Sequence, residues 1–183
     1  MAIRVHGEYK PIIAASAYID DTALVIGDVR IGNDSSVWPY TVIRGDVNSI
    51  EIGELTNVQD AAVLHVTSVS EYVPQGYSLS IGNGVTIGHR AVIHACSIGD
   101  FCLIGIGSII LDGAILHPQV LLGAGSLVPP GKELQGGYLW FGNPAKKIRS
   151  LTEKELAYFE YSASHYCRVK DLYLHRNKEN AIS

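Results

Sequence analysis

The sequence has few charged residues and few of the large side chains that fill helical cores. Charged residues make up 17% of the 183 residues, below the usual share of about 25% in soluble domains. One methionine and three phenylalanines stand against 19 glycines. This balance disfavours a bundle of amphipathic helices and favours a single domain of many turns with thin, regular packing. The low charge also indicates that part of the surface is buried in an oligomer.

Three further features are missing, and each excludes a class of protein. There is no basic excess, since 14 Lys and Arg against 18 Asp and Glu give a formal charge of −4, which argues against a nucleic-acid partner. No uncharged apolar run reaches the roughly 18 residues of a transmembrane helix, and the first ten residues contain no signal-peptide core. Three widely spaced cysteines, Cys96, Cys102 and Cys167, do not form a disulfide framework. We therefore expect a cytoplasmic protein with no membrane partner.

The sequence does contain a repeat of six residues. Branched aliphatic residues recur at this interval, with irregular steps only at 43–52, 64–81 and 93–98. They are Ile19, Val25, Ile31, Val37, Ile43, Ile52, Val58, Leu64, Ile81, Ile87, Ile93, Ile98, Ile104, Ile110, Leu116, Leu122 and Val128. A period of six is a multiple of the strand period of two but not of the helical 3.6. Each hexad therefore fits one short strand followed by a corner.

Three hexads would close a triangular coil of about 18 residues. The aliphatic side chains would then stack inside, and successive coils would pair as parallel strands about 4.8 Å apart. A β-sandwich with fortuitous spacing is the alternative, and the unbroken series from Ile98 to Val128 disfavours it. We expect this β-helix to form a domain over 12–135, with the repeat stopping near Val128.

A C-terminal extension over 136–176 is predicted to contain one helix that packs on the solenoid. Thr152 and Glu155 have the spacing of a capping box at its start. The residues that would form its apolar face are Leu156, Phe159, Ala163, Tyr166 and Val169. Residues after Arg176 are expected to be a frayed tail. The predicted class is therefore all-β with a C-terminal helix.

Hexad phase places three polar residues in one column. His65 directly follows Leu64, and His94 directly follows Ile93, three repeat steps later. The two imidazoles should therefore lie at the same outward position, one coil apart. Arg44 has the same phase one coil earlier. Two imidazoles at this spacing can share one tetrahedral metal ion.

A second register places Asp60 and His89 together near a corner of an adjacent face, with Gln59 beside Asp60. His89 could not easily turn back to the same ion within its own subunit. It could meet His65 and His94 of a neighbouring subunit around a threefold axis, and three histidines with an open fourth position are typical of catalytic zinc. The alternative is that these histidines are ordinary surface residues.

Histidines outside these two registers are expected to be structural or surface residues. His117 is the useful control, because it also follows an inward aliphatic residue but joins no column.

At these residues the sequence resembles the gamma-class carbonic anhydrase family, from Ile12 to about Arg149. The motifs are Arg44-Gly45-Asp46, Gln59-Asp60 with His65 six residues after Gln59, and His89 with His94 five residues later. The resemblance implies a left-handed parallel β-helix, a homotrimer and a divalent ion at each subunit interface. Zn²⁺ is the expected ion, although imidazole ligands also accept Fe²⁺, Co²⁺ or Ni²⁺.

The resemblance also implies roles for individual residues. His65 and His94 match two metal ligands of one subunit, and His89 matches the ligand from the next. Three charged residues, Arg44, Asp46 and Asp60, match residues that join subunits through ion pairs. Gln59 matches a residue that hydrogen-bonds the metal-bound water. The implied activity is the reversible hydration of CO2 to bicarbonate, in which Zn²⁺ lowers the pKa of bound water towards about 7.

Two departures from the family leave other functions open. The family's archaeal members have a glutamate where this chain has Val47, and the segment 66–80 offers only Glu71 as a proton shuttle. A catalytically weak metal-binding assembly protein is therefore one alternative. Acyl-CoA transfer or thioester hydrolysis is another, because Gly142-Asn143-Pro144-Ala145-Lys146 resembles endings of hexapeptide acyltransferases.

Overall fold

The computed structural model describes residues 3–180, in which twenty strands precede one helix. Nearly all strands are two or three residues long, as a hexad repeat with frequent corners predicts. The strands are β1 (Ile3–Arg4), β2 (Ile12–Ile13), β3 (Tyr18–Ile19), β4 (Leu24–Ile31), β5 (Ser36–Val37), β6 (Val42–Ile52), β7 (Asn57–Val58), β8 (Val63–His65), β9 (Leu79–Ile81), β10 (Thr86–Ile87), β11 (Val92–His94), β12 (Ser97–Ile98), β13 (Leu103–Ile104), β14 (Ile109–Ile110), β15 (Ile115–Leu116), β16 (Leu121–Leu122), β17 (Leu127–Val128), β18 (Glu133–Leu134), β19 (Tyr138–Phe141) and β20 (Lys146–Ser150). The helix α1 spans Glu153–Asn180.

The strands form the three faces of a parallel β-solenoid. Face A contains the first parts of β4 and β6, then β8, β11, β14 and β17. Face B contains β2, the second parts of β4 and β6, then β9, β12, β15 and β18. Face C contains β3, β5, β7, β10, β13, β16 and β19, with β20 added antiparallel at its end. The predicted parallel solenoid is confirmed, whereas the hand of the coil and the trimer stay predictions.

The aliphatic ladder of the repeat forms the core. On face A, Ile43 pairs with Leu64, Leu64 with Ile93 and Ile93 with Ile110. Each of these four side chains is completely buried, which stabilises the fold by about 1.5–3 kcal/mol per side chain. Because the aliphatic side chains point inward, the residue that directly follows each of them points outward.

The expectation that the repeat ends near Val128 is wrong by two steps. Leu134 pairs with Leu116 on face B, and Trp140 pairs with Leu122 on face C. Both side chains are buried, so they extend the core ladder. The second step is hidden in the sequence because a tryptophan takes the place of an aliphatic residue.

The irregular steps at 43–52 and 64–81 are extensions of the coil. Strand β6 runs without a break from face A round the corner to face B, beside the equally continuous β4. Gly27 adopts a φ of 80°, and a Cβ atom there would collide with the carbonyl of Gly45, so close pairing at this bend requires glycine. The second extension is a loop whose base is closed by hydrogen bonds between Thr67 and Tyr77.

Helix α1 begins at the predicted capping box and packs on face C. The Thr152 amide donates to Glu155 Oε2 at 2.9 Å, and the Glu155 amide donates back to Thr152 Oγ1 at 3.3 Å. Phe159 and Ala163 are buried, and the Trp38 ring lies 5.9 Å from the ring of Tyr166.

The end of α1 and its length also bear on the sequence predictions. The helix continues to Asn180 where a tail was expected after Arg176, and positions 181–183 lie outside the described residues. Across 3–180, no helix has the length and hydropathy needed to cross a membrane.

Candidate metal centre

The predicted polar column lies on the outer side of face A. Arg44 pairs with His65 across β6 and β8, and His65 pairs with His94 across β8 and β11. The two imidazole centroids are 5.1 Å apart. The parallel register therefore brings together side chains that are 29 residues apart in the sequence.

Each imidazole of the column has a carboxylate at one ring nitrogen and the other imidazole at its second nitrogen. His65 Nε2 lies 3.1 Å from Asp46 Oδ1, and His94 Nδ1 lies 3.2 Å from both oxygens of Asp112. The remaining nitrogens, His65 Nδ1 and His94 Nε2, are 3.1 Å apart. Since an ionised carboxylate only accepts hydrogen bonds, the ring nitrogens that face Asp46 and Asp112 carry the protons.

Both carboxylates and the first imidazole have shifted proton affinities. Burial raises the pKa of Asp46, but hydrogen bonds from Arg44 and His65 outweigh it and hold the pKa below its usual value. Burial likewise raises the pKa of Asp112, and the hydrogen bonds it accepts, chiefly from Thr67, more than reverse the effect. Burial lowers the pKa of His65, and Asp46 opposes this only in part. At neutral pH, Asp46 beside His65 and Asp112 beside His94 are therefore carboxylate anions, and His65 is uncharged.

The second predicted register is also present, at the corner between faces C and A. Because Thr86 and Ile87 pair with Asn57 and Val58, His89 lies in register with Asp60. His89 Nδ1 is 2.9 Å from Asp60 Oδ2, and both side chains are nearly half exposed. Within 3–180, no three His, Cys, Asp or Glu side chains of this chain converge on a position that could hold a metal ion. His89 thus stands apart from the His65–His94 pair.

Gln59 begins a chain of hydrogen bonds that ends on α1. Its Nε2 donates to Asn57 Oδ1 at 3.1 Å, and Asn57 Nδ2 donates to Thr86 Oγ1 at 3.0 Å. The Thr86 hydroxyl is 2.8 Å from that of Ser162 on α1. All four side chains are buried.

A backbone carbonyl fixes which groups donate and which accept in this hydrogen-bond network. Asn57 Nδ2 also lies 3.5 Å from the oxygen of Val85, which can only accept, so the amide nitrogen of Asn57 must face that side. Asn57 Oδ1 then faces Gln59 and receives a hydrogen bond from Nε2. Gln59 therefore has its own carbonyl oxygen, Oε1, available as an acceptor.

Gln59 and His89 both line a cavity of about 450 Å³ between face C and α1. Its walls include Leu103 and Leu121, and Tyr158 and Tyr166 of the helix close the other side. The cavity therefore combines an apolar wall with polar groups at one end, as small-molecule sites commonly do.

Several contacts of this centre were not predicted from the sequence. Arg44 Nη1 donates to Asp46 Oδ2 at 2.5 Å within the same chain, whereas the resemblance implies ion pairs between subunits for these residues. Asp112, Thr67 and Asn57 did not stand out in the sequence. The sequence offered one signal for Asp112. It lies two residues after the inward Ile110, which is one coil beyond Ile93, and is therefore one position past the register of His94.

Several curated proteins are similar to this chain over most of its length, although no family model matches it. Protein YrdA of Escherichia coli is 48% identical over 177 residues, which cover 97% of this chain and 96% of that protein. A carbonic anhydrase of Geobacillus kaustophilus is 42% identical, covering 89% of this chain and 86% of the relative. A mitochondrial gamma carbonic anhydrase 2 of Arabidopsis thaliana is 39% identical, covering 93% of this chain and 61% of the relative.

Two solved structures share the fold and much of the sequence. A hexapeptide transferase family protein of Anaplasma phagocytophilum superposes with a TM-score of 0.87 at 40% identity, covering 94% of this chain and 98% of that one. A Bacillus cereus protein with a provisional acetyltransferase assignment gives a TM-score of 0.87 at 44% identity, covering 93% and 95%. By its repeat, its histidine registers and these relatives, the chain belongs to the gamma carbonic anhydrase-like family of hexapeptide-repeat proteins.

Proposed function

We propose that this protein catalyses the reversible hydration of CO2 to bicarbonate at a divalent metal site shared between subunits of a homotrimer. The observation that carries the proposal is the His65–His94 pair, in which each imidazole has its outer nitrogen on a carboxylate. Relatives named carbonic anhydrase, at 39% and 42% identity, support the same reading.

The donor set fits a metal ion. With protons on the nitrogens that face Asp46 and Asp112, the lone pairs of His65 Nδ1 and His94 Nε2 face each other at 3.1 Å. That arrangement is repulsive unless a proton or a cation lies between the two nitrogens. Two nitrogen ligands at about 2.0–2.1 Å from one tetrahedral ion are roughly 3.3 Å apart, close to the observed separation. Carboxylates behind ligating imidazoles are also the common arrangement around protein-bound metals.

A third ligand has to come from outside the column, and His89 of a neighbouring copy is suited to this role. It lies at an exposed corner with Asp60 on Nδ1, which leaves Nε2 as the ligand nitrogen. Ile106, which is in register one coil after His89, and Val63 on face A are exposed apolar residues. Burial of such side chains against another copy would stabilise the assembly. A closed ring of three copies would complete three equivalent sites.

The chain's own residues would bind and orient the reactants. A bound Zn²⁺, or Fe²⁺, Co²⁺ or Ni²⁺ at the same imidazoles, supplies Lewis-acid activation of water at neutral pH. Gln59 Oε1 accepts a hydrogen bond from the reacting water and fixes its orientation, because Asn57 holds the amide in one direction. Arg44 and Asp46 hold His65 in its tautomer through the hydrogen bonds described above.

A second candidate function is acyl transfer or thioester hydrolysis on a CoA ester. It is favoured by the neighbour described as a hexapeptide transferase family protein, at 40% identity. The cavity of about 450 Å³ beside His89 is also larger than CO2 requires.

We infer a cytoplasmic location from the cysteine spacing, which offers no disulfide framework. Among the described residues all three are free, and Cys96 and Cys102 are buried. Burial raises the pKa of the Cys102 thiol to about 12, so this thiol is protonated and unreactive at neutral pH.

One set of measurements separates these functions. Purified protein is analysed for bound metal and for CO2 hydration by stopped flow, beside the His94→Ala variant. We expect metal and hydration in the wild type and neither in the variant. Thioesterase activity without hydration would favour the second candidate, and bound metal with neither activity would favour an assembly protein. Absence of metal after loading with Zn²⁺ would refute the proposal.

A further inference from the structure

Asp112 is a partly exposed carboxylate that contacts His94 on one side and Thr67 on the other. It lies two residues beyond β14, where the coil leaves face A. Both of its oxygens are 3.2 Å from His94 Nδ1. The hydroxyl of Thr67 donates a further short hydrogen bond to Oδ1. About a third of the side chain is exposed.

The three predicted ligands share one arrangement. Each of the three imidazoles has a carboxylate at one ring nitrogen: Asp46 for His65, Asp60 for His89 and Asp112 for His94. The resemblance to the family covers Asp46 and Asp60 but assigns nothing to Asp112. The geometry gives His94 the same kind of partner as the other two imidazoles.

We propose that Asp112, held by Thr67, is a positioning residue for the metal site. It keeps the proton of His94 on Nδ1 and so leaves Nε2 directed at His65. This inference rests on the proposed metal-dependent function, because it assigns Asp112 to the same site. Loss of a carboxylate behind a ligating imidazole typically costs 10–100-fold in metal affinity.

Thr67 is well placed to hold Asp112 still. Its amide donates to the Tyr77 carbonyl at 2.9 Å, and the Tyr77 amide donates back at 3.0 Å. Asn48 Nδ2 donates to the Thr67 carbonyl at 3.2 Å. The backbone of Thr67 is therefore fixed on two sides, and its hydroxyl has one direction in which to reach Asp112. Through these contacts the base of the loop after β8 is connected to His94.

A competing interpretation is that Thr67 and Asp112 only fasten the loop to the solenoid. The molecule offers a matched control for this interpretation, because His117 Nε2 and Glu133 Oε1 form another imidazole–carboxylate pair, 2.5 Å apart, on face B. Replacing Glu133 with glutamine removes the same type of contact away from the proposed site.

The test measures Zn²⁺ affinity by competition with a chromophoric chelator, for wild type, Asp112→Asn, Thr67→Val and Glu133→Gln. We expect the Kd for Zn²⁺ to rise about 10–100-fold in Asp112→Asn and by a smaller factor of about 3–10 in Thr67→Val. In Glu133→Gln it should stay within about twofold of wild type. The Co²⁺ absorption spectrum should change in Asp112→Asn alone, and Asp112→Glu should recover part of the affinity.

The outcomes are distinguishable. A wild-type protein that binds no metal refutes the proposed function. A wild type that binds Zn²⁺ with an unchanged Kd in Asp112→Asn overturns the role of Asp112 alone. A lower melting temperature in Asp112→Asn and Thr67→Val with unchanged Kd values supports the fastening interpretation against ours. If Asp112→Asn does not fold, an unchanged Kd in Thr67→Val decides against the proposal.

Discussion

Replacing Thr86 with valine should destabilise the protein and disorder Gln59. The Thr86 hydroxyl accepts a hydrogen bond from Asn57 at 3.0 Å and pairs with Ser162 at 2.8 Å. Without it, Asn57 Nδ2 keeps only the marginal 3.5 Å contact with the Val85 carbonyl. Asn57 is 1% exposed, so water cannot replace the lost partner.

The expected cost follows from these contacts. A buried donor left without a partner costs about 1–3 kcal/mol. Ser162 can turn its hydroxyl to a carbonyl of its own helix. The loss of its hydrogen bond to Thr86 therefore adds less than about 1 kcal/mol. We therefore expect Thr86→Val to lower the free energy of unfolding by about 2–3 kcal/mol. The matched control Thr86→Ser keeps the hydroxyl and loses one methyl group, at about 1 kcal/mol.

The assay is urea unfolding at one fixed protein concentration, since subunit association also contributes to stability. A double-mutant cycle with Ser162→Ala should give a coupling energy of about 1 kcal/mol between Thr86 and Ser162. Hydration turnover should fall in Thr86→Val and stay near wild type in Thr86→Ser. Equal stability of Thr86→Val and Thr86→Ser, within about 0.5 kcal/mol, would refute the network.

Three further perturbations have defined outcomes. Lys170 is 2% exposed and binds Asp34 Oδ1 at 3.0 Å and Asp171 Oδ1 at 2.6 Å. Both carboxylates are about half exposed and stay in contact with water, so Lys170→Met should change the free energy of unfolding by no more than about 1 kcal/mol. Lys170→Ala also loses the packed stem and should cost about 2–3 kcal/mol by urea titration. Hydrogen bonds from Arg149 and then Thr152 lower the pKa of Glu155 to about 2. Because this pKa lies below the unfolded value of 4.5, the stabilisation is complete above that pH and is lost as the pH falls towards about 2. The melting-temperature difference between wild type and Glu155→Gln should shrink over this range; a constant difference would contradict it. Removal of metal with a chelator should lower the melting temperature and weaken subunit association, because in the proposed trimer each ion would join two chains. Unchanged sedimentation would argue against a shared site.

The fold was predictable because the repeat fixes which residues point inward. Once the aliphatic residues are assigned to the core, the phase of every other residue follows, including the irregular steps. The registers of His65 with His94 and of Asp60 with His89 follow from counting alone. The last two repeat steps were not predicted, because Leu134 follows a proline-rich turn and Trp140 departs from the aliphatic pattern.

The side-chain network was less predictable because register fixes Cα positions and not the reach of side chains. Asp112 is one position out of phase with His94, and only its rotamer and the Thr67 hydroxyl bring it to Nδ1. Ser162 and Thr86 are 76 residues apart in the sequence, and their contact depends on how α1 packs on face C. Neither contact has a periodic signal in the sequence.

The most direct test of the shared site uses mixed trimers of two inactive variants. His89→Ala and His94→Ala chains, with different tags, are coexpressed, and assemblies that carry both tags are isolated. Each single variant should bind little Zn²⁺, whereas every mixed trimer contains one site that joins an intact His65–His94 pair to an intact His89. We expect Zn²⁺ and hydration activity at about one third of the wild-type level in the mixed trimers. Mixed assemblies that bind no more Zn²⁺ than their parents would contradict a site built between two copies of this chain.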